Sequence, residues 1–324
     1  MLNFNFKPYY NMTNLTIPDM VKLSNNGDIS NAFYTMGNLK YVSFNHPSIT
    51  NMYMAYSKCF NLISPPSCGN KVTDMRYAYE QCRNMTGSPV CGANVTRMYG
   101  AYNNCSNLTG SPVCGDNVID MAYAYYQCSN LTGSPVVGNN VTNMASAYQY
   151  CYNLTGSPVC GNNVTHMSDA YSSCSNLTGS PVCGNNVTHM AYAYRWCSNL
   201  TGSPVCGNNV THMGYAYQYC SNLTGNPVFG NNVMYVHYAY YNCYNLSSGS
   251  IYMHSNNISN AAYCFYGKNN SNQYTIYAYP NTTTWNTLYK SDSTSLVGAS
   301  ITWTNYSNGG FYNTAYNIYV LPIE

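Results

Sequence analysis

Charge is what this chain has least of. Only 6% of its 324 residues are Asp, Glu, Lys or Arg, against about 25% in an ordinary soluble protein. The 11 basic residues are scattered and nearly balanced by 9 acidic ones. The clustered Lys and Arg that grip phosphates are missing, which excludes nucleic acid as a partner. No apolar run approaches the roughly 18 residues of a membrane helix, so no membrane span is expected. The opening MLNFNFKPYYNMTNLTIPDM lacks a basic region followed by an apolar core and cleavage site. A Sec signal peptide is therefore not expected either. Cys-x2-Cys zinc spacing, Gly-x-Ser-x-Gly, a P-loop and His-Glu-x-x-His are all absent. The few acids, Asp74, Glu80, Asp116, Asp120 and Asp169 among them, keep no fixed offset from a His and a nucleophile. The expectation is no enzyme, no cofactor and no metal site. Disorder is excluded too, because 45% of the chain is apolar.

What is present is a repeat. Cys59, Cys82, Cys105, Cys128, Cys151, Cys174, Cys197, Cys220 and Cys243 stand 23 residues apart without a slip. Ala78 to Ala239 form a second column with the same step, and a Tyr follows each Ala, from Tyr79 to Tyr240. Asn61 to Asn245, Gly69 to Gly230 and Pro66 to Pro227 complete the frame. A fainter copy precedes it, with Ala32, Phe33, Met36, Asn38 and Leu39 in register, and a decayed copy follows, with Ala262 and Tyr263 in the Ala-Tyr columns. Fixed-period self-similarity with atypical ends is the signature of a solenoid.

Within one unit, Val187, Met190, Ala193, Tyr194, Cys197 and Leu200 fall at spacings of 3, 3, 1, 3 and 3. This predicts one apolar face of an α-helix in every turn. The following LTGSPVCGNN is too rich in Gly and Pro to be helical and predicts a short extended stretch. Turns stacked at strand spacing would rise about 4.8 Å each. Beyond Lys268 the frame stops. QYTIYAYP, TTTWNTLY, LVGASITWTN and YNIYVLPIE carry β-branched and aromatic residues in strand-like patterns. The expected division is a cap or docking arm over 1–27, a solenoid over 28–267 and a β-rich segment over 268–324.

The pieces NVTHMAYAYRWCSNL and NVTNMASAYQYCYNL resemble the BspA-like leucine-rich repeats of surface proteins, over about residues 50–266. The resemblance implies an α/β solenoid of leucine-rich-repeat type, here with about eleven helix–strand turns and a small C-terminal β segment. It also implies roles in adhesion and partner binding. The shortened strand half, TGSPVCG, departs from the family's Leu/Asp/Phe-rich strand.

Each full repeat holds Cys-x8-Cys, as in Cys82 and Cys91. Val137, Phe229 and Tyr252 replace the second Cys while the first is kept, so a reduced, buried ladder is favoured over disulfides. His166, His189 and His212 share one column; three ligands in a line do not make zinc's tetrahedral shell. The Asn-x-Thr sequons recur in frame columns, as at Asn107 and Asn130, and fold geometry accounts for them better than glycosylation.

Three columns vary freely from turn to turn: Tyr77 to Tyr238, Glu80 to Tyr241 and Gln81 to Asn242. They hold Tyr, Ser, Asn, Gln, Arg and Trp, residues that make large contacts at low ordering cost. The expected binding surface is the helix face carrying Tyr192, Arg195, Trp196, Tyr215, Gln218, Tyr219, Tyr238 and Tyr241. Its expected partners are a host-surface glycan or protein, or other subunits of a virion or particle, with a homo-oligomer left open. Two functions fit. One is a receptor-binding protein of a virion, of phage fibre or decoration type. The other is a cellular surface adhesin. The absent Sec signal supports the first and counts against the second, and the expected location is a virion or extracellular surface, reached without a Sec signal.

Overall fold

The structure is a computed structural model that describes residues 9–18, 23, 25–44, 46–268, 272–280, 282–288, 295–297, 304–305 and 309–323. It comprises two compact units, Met1–Asn163 and Val164–Glu324. In each, successive repeats coil into turns joined by parallel bridges at one column. These bridges run through Asp28, Asn51, Asp74, Arg97, Asp120 and Asn143 in the first unit, and His166, His189, His212, Tyr235 and Asn260 in the second.

The helix expected in every turn does not form. Among the described residues the one α-helix is α1 (Thr283–Leu288), outside the repeats. In its place the N–H groups of Met190, Tyr192, Tyr194 and Trp196 donate to His212, Gly214, Ala216 and Gln218 on the next turn, at 2.8–3.0 Å. The alternate N–H groups of Ala193, Arg195 and Cys197 reach back three residues, to Met190, Tyr192 and Tyr194. An α-helix would send every N–H back four. The reason is pitch. Turns joined by backbone hydrogen bonds sit about 4.8 Å apart, and the His166 and His189 rings on adjacent turns are indeed 4.8 Å apart. Packed helices need 8–10 Å between axes. A helix per turn and strand spacing between turns exclude each other. The apolar periodicity nevertheless marks the inward direction: Val187, Met190, Ala193, Tyr194, Cys197 and Leu200 are all fully buried.

The Tyr column does the work expected of a strand. Tyr56, Tyr79, Tyr102, Tyr125 and Tyr148 stack through the first core at 5.1–5.5 Å. Tyr171, Tyr194, Tyr217 and Tyr240 stack in the second at 5.5–5.6 Å. A buried phenol needs a hydrogen-bond partner, and Tyr102, Tyr125, Tyr194, Tyr217 and Tyr240 each find two on the Pro-Val segment, while Tyr79 donates to the Pro66 carbonyl at 2.8 Å. Tyr125 Oη donates to the Val113 carbonyl at 2.7 Å and accepts from the Val113 N–H at 3.1 Å. Tyr102 with Val90 and Tyr217 with Val205 repeat this. The segment that Pro bars from a regular ladder is thereby satisfied from inside.

The faint first copy is in register, with Phe33 stacked on Tyr56 at 4.8 Å. The decayed last copy is shifted. Tyr240 stacks on Phe265 and its N–H bonds the Cys264 carbonyl, so Cys264 and Phe265, not Ala262 and Tyr263, continue the Ala-Tyr columns. Ser247 still bonds Thr224, 23 residues back, whereas Ser259 bonds Met234, 25 back. Two residues are inserted between them.

In the first unit β1 (Asn14–Thr16) pairs in parallel with β2 (Tyr41–Ser43). Residues 1–8, 19–22 and 24 of the expected N-terminal arm lie outside the described residues. In the second unit β3 (Gly249–Met253), β4 (Tyr274–Ala278), β5 (Thr304–Asn305), β6 (Phe311–Asn313) and β7 (Ile318–Pro322) form one sheet in the order β3-β4-β7-β6-β5. It is parallel from β3 to β7 and antiparallel beyond. Ile251, Met253, Ile276, Ala278, Ile318 and Val320 bury its inner face. The strand-like pattern of TTTWNTLY folds as α1, whose Trp285 and Leu288 are buried; Trp285 packs on Phe311 at 5.8 Å. Residues 298–303 of LVGASITWTN lie outside the described residues.

All 16 cysteines are free thiols. The Cys82 column is fully buried, and each Sγ–H completes a core carbonyl, as Cys128 does for Tyr102 at 3.0 Å. The second column, Cys68 to Cys206, is only half-buried. Burial pushes both columns' thiols up, Cys68 to about 12 and Cys114 to about 11, which suppresses the reactive thiolate. We predict that alkylation in denaturant without reductant modifies all 16 thiols by intact mass, and that Cys128→Ala costs about 1–2 kcal/mol. Recovery of mostly disulfide-linked protein would refute it.

Candidate ligand-binding face

The variable columns lie along the turns, with a backbone the sequence did not announce. Tyr192, Tyr215 and Tyr238 have φ of 59°, 60° and 55°, and Trp196 and Tyr219 have 65° and 64°. The left-handed region costs a non-glycine residue roughly 1–2 kcal/mol. Here it is imposed by a backbone that must curve and still aim alternate N–H groups at the next turn.

The side chains return part of this by stacking. Tyr192, Tyr215, Tyr238 and Tyr263 form a ladder with centroids 4.6–4.7 Å apart and planes within 9°. Trp196 lies on Tyr219 at 3.7 Å, and Tyr241 on Tyr266 at 4.9 Å. Such pairs contribute about 0.5–1.5 kcal/mol beyond area burial. Arg195 sits between the heads of two ladders, its Cζ 5.7 Å from the Tyr192 ring and 5.9 Å from the Trp196 ring.

The eight expected site residues are thus brought onto one surface of the second unit, though not equally presented. Trp196 is 44% exposed, while Gln218 is only 5% exposed. Gln218 belongs to the wall and cannot make an outward contact. Inside a ladder the ring faces are covered by their neighbours, so only edges and hydroxyls look outward. Asp169 stands one turn before Tyr192 in the same column. Burial pushes its carboxyl up to about 6, against the downward pull of Arg195. A carboxylate therefore flanks the patch and disfavours an acidic ligand there.

Sequence reasoning missed two concavities. One, of about 220 Å³, is lined by Ala191, Tyr192, His212, Gly214, Tyr215, Tyr235 and His237. Gly214 makes room for it: a Cβ there would meet the His237 ring at 2.6 Å. Small-against-large pairing across adjacent turns was the available signal. The other is a groove of about 860 Å³ in the first unit, lined by Asn94, Asn117, Asn140 and Asn163 on one side and Thr73, Thr96 and Thr142 on the other. Its amides and hydroxyls are committed to the stack, as when Asn94 Nδ2 donates to the Asn70 carbonyl at 2.7 Å and Thr96 Oγ1 to the Thr73 carbonyl at 3.1 Å. The Asn107 column likewise pairs amide to amide, Asn130 donating to Asn107 at 3.5 Å.

The His column stacks at 4.7–4.8 Å, each Nδ1 beside the preceding Thr hydroxyl at 2.8–2.9 Å. Burial and the two neighbouring imidazoles hold His189 below the ordinary range. Among the described residues no group of three or more His, Cys, Asp or Glu is placed to hold a metal ion. No helix among them is long and apolar enough to cross a membrane.

Stacked turns of one period, an inward apolar frame and outward variable columns define a repeat protein of the leucine-rich class. The family model for the BspA-type leucine-rich repeat region matches residues 2–132, 75–201 and 190–318, in six copies. The chain belongs to that family. No curated protein matches it.

Proposed function

We propose that this chain is a non-enzymatic binding protein of an exposed surface, and that it grips its partner with the aromatic face of the second unit. The observation that carries this is the concentration of Trp196, Arg195 and two Tyr ladders on one rigid, hydrogen-bonded stack. Aromatic and Arg anchors dominate interface energies, and here they are ordered before any partner arrives, which lowers the cost of binding. Family membership supports the coarser part, since BspA-type repeats are often found in surface adhesins and leucine-rich repeats bind proteins. A host-surface glycan or protein is the partner class we favour, with other subunits of a particle second. The virion reading, a phage fibre or decoration protein, rests on the near-chargeless Asn/Tyr/Ser/Thr composition. Detection in purified particles rather than on cell envelopes decides for it.

The test of the face is Trp196→Ala with Tyr219→Ala, read on an array of immobilised neutral and acidic glycans and extracellular-matrix proteins. We expect the wild-type protein to bind at least one class and the double variant to lose about tenfold or more, since each 1.4 kcal/mol is a factor of ten. The stacked pair contributes to stability, so the thermal midpoint is read alongside and should fall only slightly. Binding at wild-type strength would move the site elsewhere, with the β4–β7 sheet the next place to test. No binding by the wild-type protein to any probe would refute the reading.

A further inference from the structure

The ladders do not run the length of the second unit. Both begin at the same turn. Tyr192 heads one and Trp196 the other, and their column mates one turn earlier are Asp169 and Ser173, with Ser172 between, opposite Arg195. The register is fixed by backbone bonds: Asp169 N–H donates to the Ala191 carbonyl and Ser173 N–H to the Arg195 carbonyl. One face of each leading ring is covered, Tyr192 by Tyr215 at 4.6 Å and Trp196 by Tyr219 at 3.7 Å. On the opposite side the preceding turn carries no ring at these columns, only Asp169 and Ser173, and Arg195 Cζ stands over the two leading rings at 5.7 and 5.9 Å. The surface therefore has a ledge. Its riser is made of an indole and a phenol with Arg195 between, and its tread is made of Asp169 and Ser173, with Ser172 buried between them.

This is where the ladder offers aromatic faces rather than edges. A face takes a flat array of weakly positive C–H groups, and a pyranose whose ring substituents are all equatorial presents its axial C–H groups as such an array. Its adjacent hydroxyls both donate and accept. On the ledge they meet the Asp169 carboxylate, an acceptor, and the Arg195 guanidinium, a donor. Asp169 also sets the sign of selection, because an anionic sugar brought against it is repelled.

We propose that this ledge is a binding subsite for a neutral β-hexopyranose, stacked on Trp196 and hydrogen-bonded by Asp169 and Arg195. The proposal rests on the binding face assigned above and narrows its ligand class. The probe is methyl β-glucopyranoside, read by saturation-transfer NMR and by titration, with methyl β-glucuronide as its anionic counterpart. We expect saturation to enter through the axial ring protons. We expect Trp196→Ala to weaken binding about tenfold or more, and Asp169→Asn to weaken the neutral sugar while narrowing its advantage over the glucuronide. A thermal midpoint within a few degrees of wild type shows that each variant folds, and Trp196→Phe, which keeps a face, should restore part of the binding. Equal or stronger binding of the glucuronide by the wild-type protein, or glucoside binding indifferent to Trp196→Ala, overturns the inference. If the wild-type protein ignores the glucoside but binds a matrix protein or acidic glycan in a manner sensitive to Trp196→Ala with Tyr219→Ala, the subsite fails and the face stands. If that double variant changes nothing for any probe, both fail.

Discussion

Tyr125→Phe should lower the unfolding free energy by about 2 kcal/mol although it removes a single oxygen. That oxygen donates to the Val113 carbonyl at 2.7 Å and accepts from the Val113 N–H at 3.1 Å. Phe would keep the ring stack with Tyr102 and Tyr148, at 5.4 and 5.5 Å, and most of the buried apolar area. What it cannot keep is the side-chain anchor at Val113, in the middle of a Gly- and Pro-rich segment. A polar group left without a partner costs about 1–3 kcal/mol, and Val113 carries two on a partly buried backbone. The matched control is Tyr123→Phe, two residues earlier on the outward ladder, where a surface change of this kind should stay within about 0.5 kcal/mol. Urea midpoints of the two variants provide the comparison. Equal midpoints would mean that water replaces the phenol without penalty and that the Tyr column is only packing.

The contrast between those two tyrosines shows how far the sequence could be read. The invariant columns mark the interior, and the residues at them are buried as their constancy implies. Their local conformation was misread because a spacing of 3, 3, 1, 3 and 3 describes direction, and more than one backbone curls back on that rhythm. The decisive constraint, spacing between turns, is not a property of any single turn. A local clue did exist. In the two left-handed columns the short residues include Asn31, Gly100, Ser146 and Asp169 in one and Thr35, Asn104, Ser173, Asn242 and Gly267 in the other. Gly, Asn and Asp are the residues that adopt left-handed backbone at least cost, and their recurrence four positions apart within one turn is incompatible with a helix. The binding face was legible as a set of variable positions. Its ledge was not, because it arises from the difference between two adjacent turns, Asp169-Ser172-Ser173 against Tyr192-Arg195-Trp196. Column-by-column reading averages that difference away.

Gly230→Ala is expected to cost about 3 kcal/mol or more, a large effect for a one-carbon change. Its φ is not left-handed, so backbone freedom is not the reason. A Cβ there would run into the Gly207 carbonyl oxygen, with that carbonyl carbon at 3.0 Å and Asn208 Cα at 3.2 Å. These are backbone atoms of the preceding turn, which cannot rotate aside as a side chain would. Relief requires the turns to separate, and the same two turns are held by Tyr215 N–H to His237 O at 2.9 Å and Tyr217 N–H to Ala239 O at 2.9 Å. Gly87→Ala separates the two possible causes of a glycine requirement. Gly87 has φ of +80° but nothing within 4 Å of its Cβ position, so it should suffer only the conformational cost of about 1 kcal/mol. If Gly230→Ala unfolds no more easily than Gly87→Ala, close approach of the turns is not what this column protects. If it does, the damage should also reach the outward surface. Tyr215 and Tyr238 stack at 4.7 Å across the same pair of turns, so their ladder should loosen and binding by the aromatic face should weaken with it.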